Sequence, residues 1–578
     1  MTQAGGPSAP STFDRLRQRG RQFAFTNPLY ERGLRGPVPE RLVVIPPDPW
    51  PGRADLGHAM LNGVFTIHGR SKPLGGSPFS ADLAAASPGW WQGLHAFHWL
   101  RHLRATGGDN ARRLAARLIG QWAEAYPQWD EHAWDLPVTG ARLSHWLSQY
   151  SFYGASLDQS QQQLIFDGAA RQARHLAKQL NGQHGLTGAP LIVALKGWVL
   201  FALATNMSEF KLGQALSRLT QALREQLAGD DGHLSRNPMD QLSVLRDVID
   251  IRATLVATGA PVPPSLTDAI TRLVPGLRLF RHGDGALATM NGALEGDPLV
   301  IDTALAQADA RGRPAKSMPQ TGYERIAIGR TVLLIDTGQA PTAPFDREAH
   351  AGLFGFELSH GRERIIVSCG HDKSHGPLYD PLRATAASST LVVADTNACE
   401  VLPGGGIGRQ PGRVISLRET GSYGTRVVMS HDGWAERFGL TYDRSITVSD
   451  SGEAVFGEEK LSGTAGHRFT IRFHLAPDVQ VSPVQGGALI KPLSGTGWRF
   501  HYQGAELDVE ESLYAGAGAP RRCYQLVLTG ETEDKSALAL TGDRRVGALV
   551  GWSLTRERKP NRAPVNNQSL SLSAQSKN

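Results

Sequence analysis

The period of the apolar pattern changes once along this chain, near Gly312, and that change limits the folds open to it more than any other feature. Between about residues 90 and 280 the apolar residues recur on the helical period. In GGDNARRLAARLIGQWAEAY, Leu114, Leu118, Trp122 and Ala125 follow i, i+4, i+8, i+11 spacing, with Asp109 or Asn110 as the expected cap. ARLSHWLSQYSFYG, DQSQQQLIFDGAARQARHLAKQL, APLIVALKGWVLFALATN, GQALSRLTQALREQLAG and DQLSVLRDVIDIRATLVATG repeat the pattern, and several end on Gly or Asn. Short loops with no strands between them predict an all-α layered domain. After Gly312, YERIAIGRTVLLIDTG predicts a hairpin turning at Gly329 and Arg330. STLVVADT, GRVISLRET, GTRVVMSHDGW and GHRFTIRFHLAP are short β-branched runs between Gly, Asp, Ser and Asn turns, as in a large antiparallel sandwich. The expected class is α+β multidomain. A loop-rich extension covers 1–85, helices 86–312, the sandwich 313–558 and a disordered Ser-, Asn- and Gln-rich tail 559–578.

A chain of 578 residues suits two or three cores, and 40% apolar with 20% charged residues is the balance of a folded protein. The net charge of +6 is spread along the chain, and its one dense basic run is Arg556 to Arg562. Without a basic face carrying interleaved aromatics, specific nucleic-acid binding is not expected; the mild positive balance suits an anionic partner. Three cysteines, Cys369, Cys399 and Cys523, with no CxxC spacing argue against a disulfide framework or a thiolate zinc site. The first residues lack the apolar core of a signal peptide and no run approaches membrane-spanning length. The expectation is a cytoplasmic protein with no transmembrane segment.

Four stretches carry candidate chemistry. In PGWWQGLHAFHWLRHLR, Trp91, His95, His98 and His102 share one helical face. Such histidines suit a metal, but no carboxylate interrupts them; a stripe lining a sugar groove and plain helix packing are the other readings. In TGARLSHWLSQY, Arg142 and His145 stand within one turn, and a buried Arg needs an anion from the protein or from a substrate. In DDGHLSRNPMDQ, Asn237 or Asp240 can cap a helix begun by Pro238, which leaves His233, Arg236 and Asp240 without so simple a duty. DREAHAGLFGFELSHGRER, Asp346 to Arg364, predicts a strand, a turn and a second strand. Glu348 and His350 then share one strand face, as a catalytic pair or as polar residues at a sheet edge. No nucleophile-elbow, Walker or dinucleotide fingerprint is present.

In their order and spacing, GWWQGLHAFHWL, RLSHWLSQY, DDGHLSRNPMDQ, GYERIAIGRTVLLIDTG, AHAGLFGFELSHGRERIIVSCG and RATAASSTLVVAD resemble the heparinase II/III-like family of polysaccharide lyases over most of the chain. The resemblance implies an N-terminal incomplete α/α toroid followed by a C-terminal antiparallel β-sandwich. It also implies β-elimination on an acidic, uronate-containing glycan such as a glycosaminoglycan, and it makes the cell envelope an alternative location. Elimination needs a group that neutralises the uronate carboxylate, a base for the C5 proton and an acid for the leaving oxygen.

Carried over position by position, the resemblance puts the family's Asn-His pair on Ala189 and Pro190, and its catalytic Tyr and the following His on Asp240 and Gln241. The catalytic His of the sandwich falls on Glu348. Of the metal-ligand positions, His350 is kept while Ser368 and Ser388 replace the others. A metal on His350 alone is not credible, so neither metal nor other cofactor is expected. Three readings stay open. In the first, a lyase uses Arg142 to neutralise the uronate, Glu348 or His350 as base, and Trp91, His95, His98, His145 and Asn237 along the glycan. In the second, a glycoside hydrolase uses Asp240 and Glu348 as its acid/base pair, one carboxyl having been raised by burial. In the third, a non-catalytic glycan-binding protein kept the groove and lost the chemistry.

Overall fold

The computed structural model describes residues 20–74, 78–79, 87–534 and 546–557, so the tail expected at 559–578 lies outside the described residues. The helical half is a ring of α/α hairpins. Helices α1 (Gly108–Ala125), α2 (Leu136–Ser148), α3 (Gln159–Asn181), α4 (Gly188–Thr205), α5 (Leu212–Gln226), α6 (Pro238–Thr258) and α7 (Pro264–Leu279) follow the expected order. The inner helix α4 packs against α2 and α6 on either side and against α3 and α5 behind. It is apolar all round because neighbours surround it. Contrary to the expectation that no run approaches membrane-spanning length, this helix is long and apolar enough to cross a membrane, yet 83% of it is buried inside the protein. The α2–α4 crossing is a glycine contact. A methyl group on Gly197 would lie 2.4 Å from the Gly140 Cα, so neither helix tolerates a side chain there. The start of α1 differs from expectation: Gly107 is its N-cap, and Asp109 sits in the first turn, bonded to Arg112 at 2.8 Å.

Two antiparallel sheets form the second half. One runs, in spatial order, Gln480–Val484, Gly487–Lys491, Trp498–Gln503, Val546–Arg556, Ala454–Gly463, Leu440–Ser449, Gly424–Trp434 and Val414–Gly421. The other runs Glu506–Tyr514, Arg521–Glu531, Arg468–Leu475, Glu363–Val367, Phe356–His360, Thr331–Asp336, Tyr323–Ile328 and Ser317–Met318. The inward faces alternate with polar outward ones, and Phe356, Phe473, Trp498 and Trp552 fill the space between the sheets. The expected hairpin turns between Ile328 and Thr331. The stretch 346–355, expected to begin a strand, is instead an irregular loop, and pairing starts only at Phe356.

The loop before α6 joins the two halves. Arg236, held at φ 57°, sends its guanidinium out of the helical domain into the end of the sandwich. It donates to the carbonyls of Thr321 (2.6 Å), Gly322 (2.9 Å), Gly338 (3.1 Å) and Gln339 (2.5 Å), and it ion-pairs with Asp336. The other oxygen of Asp336 accepts from Asn291 Nδ2 at 2.8 Å, and Asn291 Oδ1 accepts from the His350 amide at 3.3 Å. Removing one partner of a buried, multiply bonded ion pair leaves the other charge uncompensated, typically at about 3–5 kcal/mol. Arg236→Ala is therefore expected to lower unfolding stability by roughly that amount, measured by urea titration; a change below about 1 kcal/mol would show the clamp to be dispensable.

Candidate functional site

The clamp places one strip of residues along the seam. Asn237 follows Arg236 directly and caps α6, its Oδ1 accepting from the Met239 amide at 2.8 Å. Its Nδ2 is buried and has no hydrogen-bond partner. Gly292, at φ 83°, sits between the two halves. A methyl group there would lie 3.1 Å from the Glu348 Cβ and 3.2 Å from Asn237 Nδ2, so the orphan donor and Glu348 flank one glycine. Asp240, on the first turn of α6, accepts from Ser235 Oγ at 2.7 Å.

Lys373 completes this strip. It lies in the loop GHDKSHG, which continues the sandwich strand Glu363–Val367, and its ammonium ion-pairs with Glu348. Burial pulls the ammonium down, but the Glu348 and Asp240 carboxylates outweigh it and hold it above its ordinary range. Burial likewise pushes the Glu348 carboxyl up, and Lys373, with His375 and Arg347, reverses this and holds it below the ordinary carboxylate value. Two carboxylates, one from each half of the molecule, thus converge on one cation. His68, in the turn of the hairpin formed by Val64–Ile67 and Arg70–Pro73, closes the strip on the far side. Burial, then the nearby Lys373, bring its imidazole down to about 4, so it is neutral at pH 7. The same hairpin is tied to the Lys373 loop by the ion pair of Arg70 with Asp372 at 3.0 Å.

The sequence-derived site residues divide in two. Asp240, Glu348 and Asn237 come together. His98 reaches the strip too, its ring stacked on that of His68 at 6.2 Å between centroids. His145 lies close enough to His98 to feel a charge there. Arg142 is not on the seam. It is 0% exposed, stacked 3.9 Å from the Trp122 centroid, and donates to Gln172 (2.7 Å), Ala133 O (2.7 Å) and His95 O (3.1 Å). It neutralises no substrate carboxylate because its donors are engaged inside the helical core. Trp91 and His95 are also core residues; His95 accepts from Trp122 Nε1 at 2.8 Å. His350 and Glu348 do not share a face, since their segment is a loop. His350 is 5% exposed, its Nε2 is 3.2 Å from His371 Nδ1, and burial keeps its imidazole far below the usual range. It points into a void of about 10 Å³ shared with Ser368 and Ser388, so the three aligned positions do converge, on two hydroxyls and one imidazole. Among the described residues there is no group of three or more metal-ligating side chains. Gln241 is buried and staples its loop to α7, donating to Leu273 O at 2.9 Å and accepting from the His233 amide at 2.8 Å.

Sequence reasoning missed Lys373 and His68. The run His371, Asp372, Lys373, Ser374, His375 was a legible signal, being dense in titratable groups directly after a strand. Nothing local singles out His68, which reaches the site only through the packing of its hairpin.

Residues 310–552 match the model of the heparinase II/III-like C-terminal domain. Over 543 residues the chain is 31% identical to the FtsZ-localized protein C of Caulobacter vibrioides (strain NA1000 / CB15N), spanning 90% of this chain and 91% of that protein. The chain belongs to the heparinase II/III-like family. Its fold is that of heparinase III, matched with a TM-score of 0.67 at 12% identity over 94% of this chain and 91% of that one. A mutant of the heparan sulfate lyase HepC from Pedobacter heparinus superposes with a TM-score of 0.54 at 13% identity, covering 88% and 83% of the two chains. The α/α toroid followed by antiparallel β-sheets is thus the scaffold of polysaccharide lyases.

The Glu348–Lys373 pair has a pH signature. A carboxyl held below its ordinary value stabilises the fold above the unfolded-state value, and this is lost as pH falls through the lower folded value. Glu348→Gln should therefore be less stable than the parent at pH 7, and the gap should close as the pH drops below about 4.5. Thermal melts of both proteins between pH 3 and 7 measure it; a gap independent of pH would remove the ion pair from the account.

Proposed function

We propose that this chain uses the lyase scaffold to hold an acidic saccharide without cleaving it, and that it localises with FtsZ, as the name of its FtsZ-localized relative suggests. The observation that carries the reading is the ion pair of Glu348 with Lys373. At the positions where the family's resemblance implies a Tyr and a His, this chain has Asp240 and Glu348, both neighbours of one ammonium. A carboxylate held low by a cation is a poor base for a carbon-bound proton. It is also a poor acid for a glycosidic oxygen, because neither role suits a group that stays ionised. The hydrolase pairing of Asp240 with Glu348 loses support for the same reason, since Lys373 holds Glu348 low where that pairing wants a raised carboxyl. His350 is enclosed behind the loop and faces the two serines. What remains suits binding: an orphan amide donor on Asn237, neutral imidazoles on His68 and His98, and a cation in Lys373. Similarity over 90% of the chain to an FtsZ-localized protein supports the second half of the proposal.

One feature favours elimination as a second reading. The unpartnered Nδ2 of Asn237 is a donor of the kind that neutralises a uronate carboxylate. The base would then be Lys373, yet its neighbours keep it protonated.

The test is a panel of uronate-containing polymers followed for ultraviolet absorbance of unsaturated product, for new reducing ends and for retention on the immobilised polymer, beside co-sedimentation with polymerised FtsZ. Retention and co-sedimentation with neither product are expected. Absorbance would replace binding by elimination, reducing ends alone by hydrolysis, and lack of retention would overturn the saccharide reading. Protein left in the supernatant would overturn the FtsZ reading.

A further inference from the structure

In the helical half Arg246 lies near Asp250, Asp247 and Asp48, acids that other cations already bind. Asp48 accepts from Arg101 at 2.9 Å and from Arg104 at 3.4 Å. Lys196 on α4 bridges Asp247 at 2.8 Å and Asp250 at 2.5 Å, both on α6. Arg246, on α6 between those acids and Asp240, makes no hydrogen bond or ion pair among the described residues, and its Nε is buried without a partner. Its guanidinium lies 4.5 Å from the centroid of Trp50, whose own ring is fixed by a 2.7 Å hydrogen bond to Asp250. Stacking orients the fork but satisfies none of its five donors.

Arg246 also stands at the end of a polar row. Lys373 acts on His68, His68 stacks on His98, and His98 and His145 both lie within reach of the Arg246 charge. Burial and the neighbouring cations keep His98 and His145 uncharged, so they offer a saccharide hydroxyl one donor and one acceptor each rather than competing for an anion. His98, His145 and Arg246 are all partly exposed, unlike the core residues Arg142 and His95.

We propose that Arg246 forms a second anion subsite on the inner face of the toroid, taking a carboxylate or sulfate of the same saccharide that reaches Asn237. This rests on the binding reading above and extends it to a ligand acidic at more than one residue. A planar fork with free donors, preset by an aromatic face, matches an oxyanion in a bidentate way that an ammonium does not.

The experiment titrates the full chain with two probes: a hyaluronan hexasaccharide, and the same hexasaccharide with its carboxylates reduced to alcohols. Heparan sulfate of equal length is a third arm that separates sulfate from carboxylate. The parent is expected to bind the carboxylated or the sulfated probe at least about tenfold more tightly than the reduced one, since charged hydrogen bonds are worth that much. Arg246→Gln should lose most of that preference while binding the reduced probe as before, and Arg246→Lys should keep part of it. Melting curves accompany each variant; should the Gln variant fail to fold, the intermediate preference of Arg246→Lys decides. Full preference in Arg246→Gln, or an undiminished one in Arg246→Lys where that variant decides, would overturn the subsite and leave the binding proposal standing. Absence of binding by the parent to all three probes would overturn both.

Discussion

The guanidinium of Arg236 bonds one half of this protein to the other. Arg236 comes from the helical domain, yet the carbonyls that accept from it and the Asp336 carboxylate all belong to the sandwich. Burial works against its charge, and the Asp336 and Tyr323 side chains beside it more than restore it, so the guanidinium stays above its ordinary range. The network continues through Asn291 to the backbone of His350. Asn237, one residue on, and Glu348, two residues before His350, are therefore brought to the same glycine by the same clamp. If the clamp slipped by a few ångströms the seam would carry no defined site.

Charge balance then decides what the seam can do. In a partly desolvated site each ionised group takes its behaviour from its partners. Glu348 ion-paired with Lys373 and held low by it is a poor proton relay. In the helical half the Arg246 guanidinium makes no ion pair among the described residues, although Asp250, Asp247 and Asp48 lie near it. The two regions are joined by neutral imidazoles. The seam therefore reads as a continuous polar track rather than a catalytic centre with isolated parts.

Much of this was legible before any coordinates. Leu118 and Trp122 predicted a buried stripe and are buried. The strand pairing around Gly329 followed from its turn chemistry. The resemblance implied replacements at Asp240, Gln241, Glu348, Ser368 and Ser388, and the structure has Ser368, Ser388 and His350 line one void. Other assignments failed for physical reasons. Arg142 lies in a helix otherwise rich in apolar residues, and a local pattern cannot tell a guanidinium solvated by core carbonyls from one facing a substrate. Glu348 and His350 alternated as on a strand, but their segment is a loop. Such a loop is stabilised by bonds to distant residues, which period-two spacing does not report.

The sequence by itself determined the two-part architecture, because hydrophobic periodicity is local and each half must bury its own stripe or face. Only the tertiary structure decided that Lys373 and His68 join Glu348 at the seam, that Arg142 leaves it and that Arg246 makes no ion pair among the described residues. Those outcomes depend on which charges meet across elements far apart in the chain, and the protonation of each group follows from its neighbours in space.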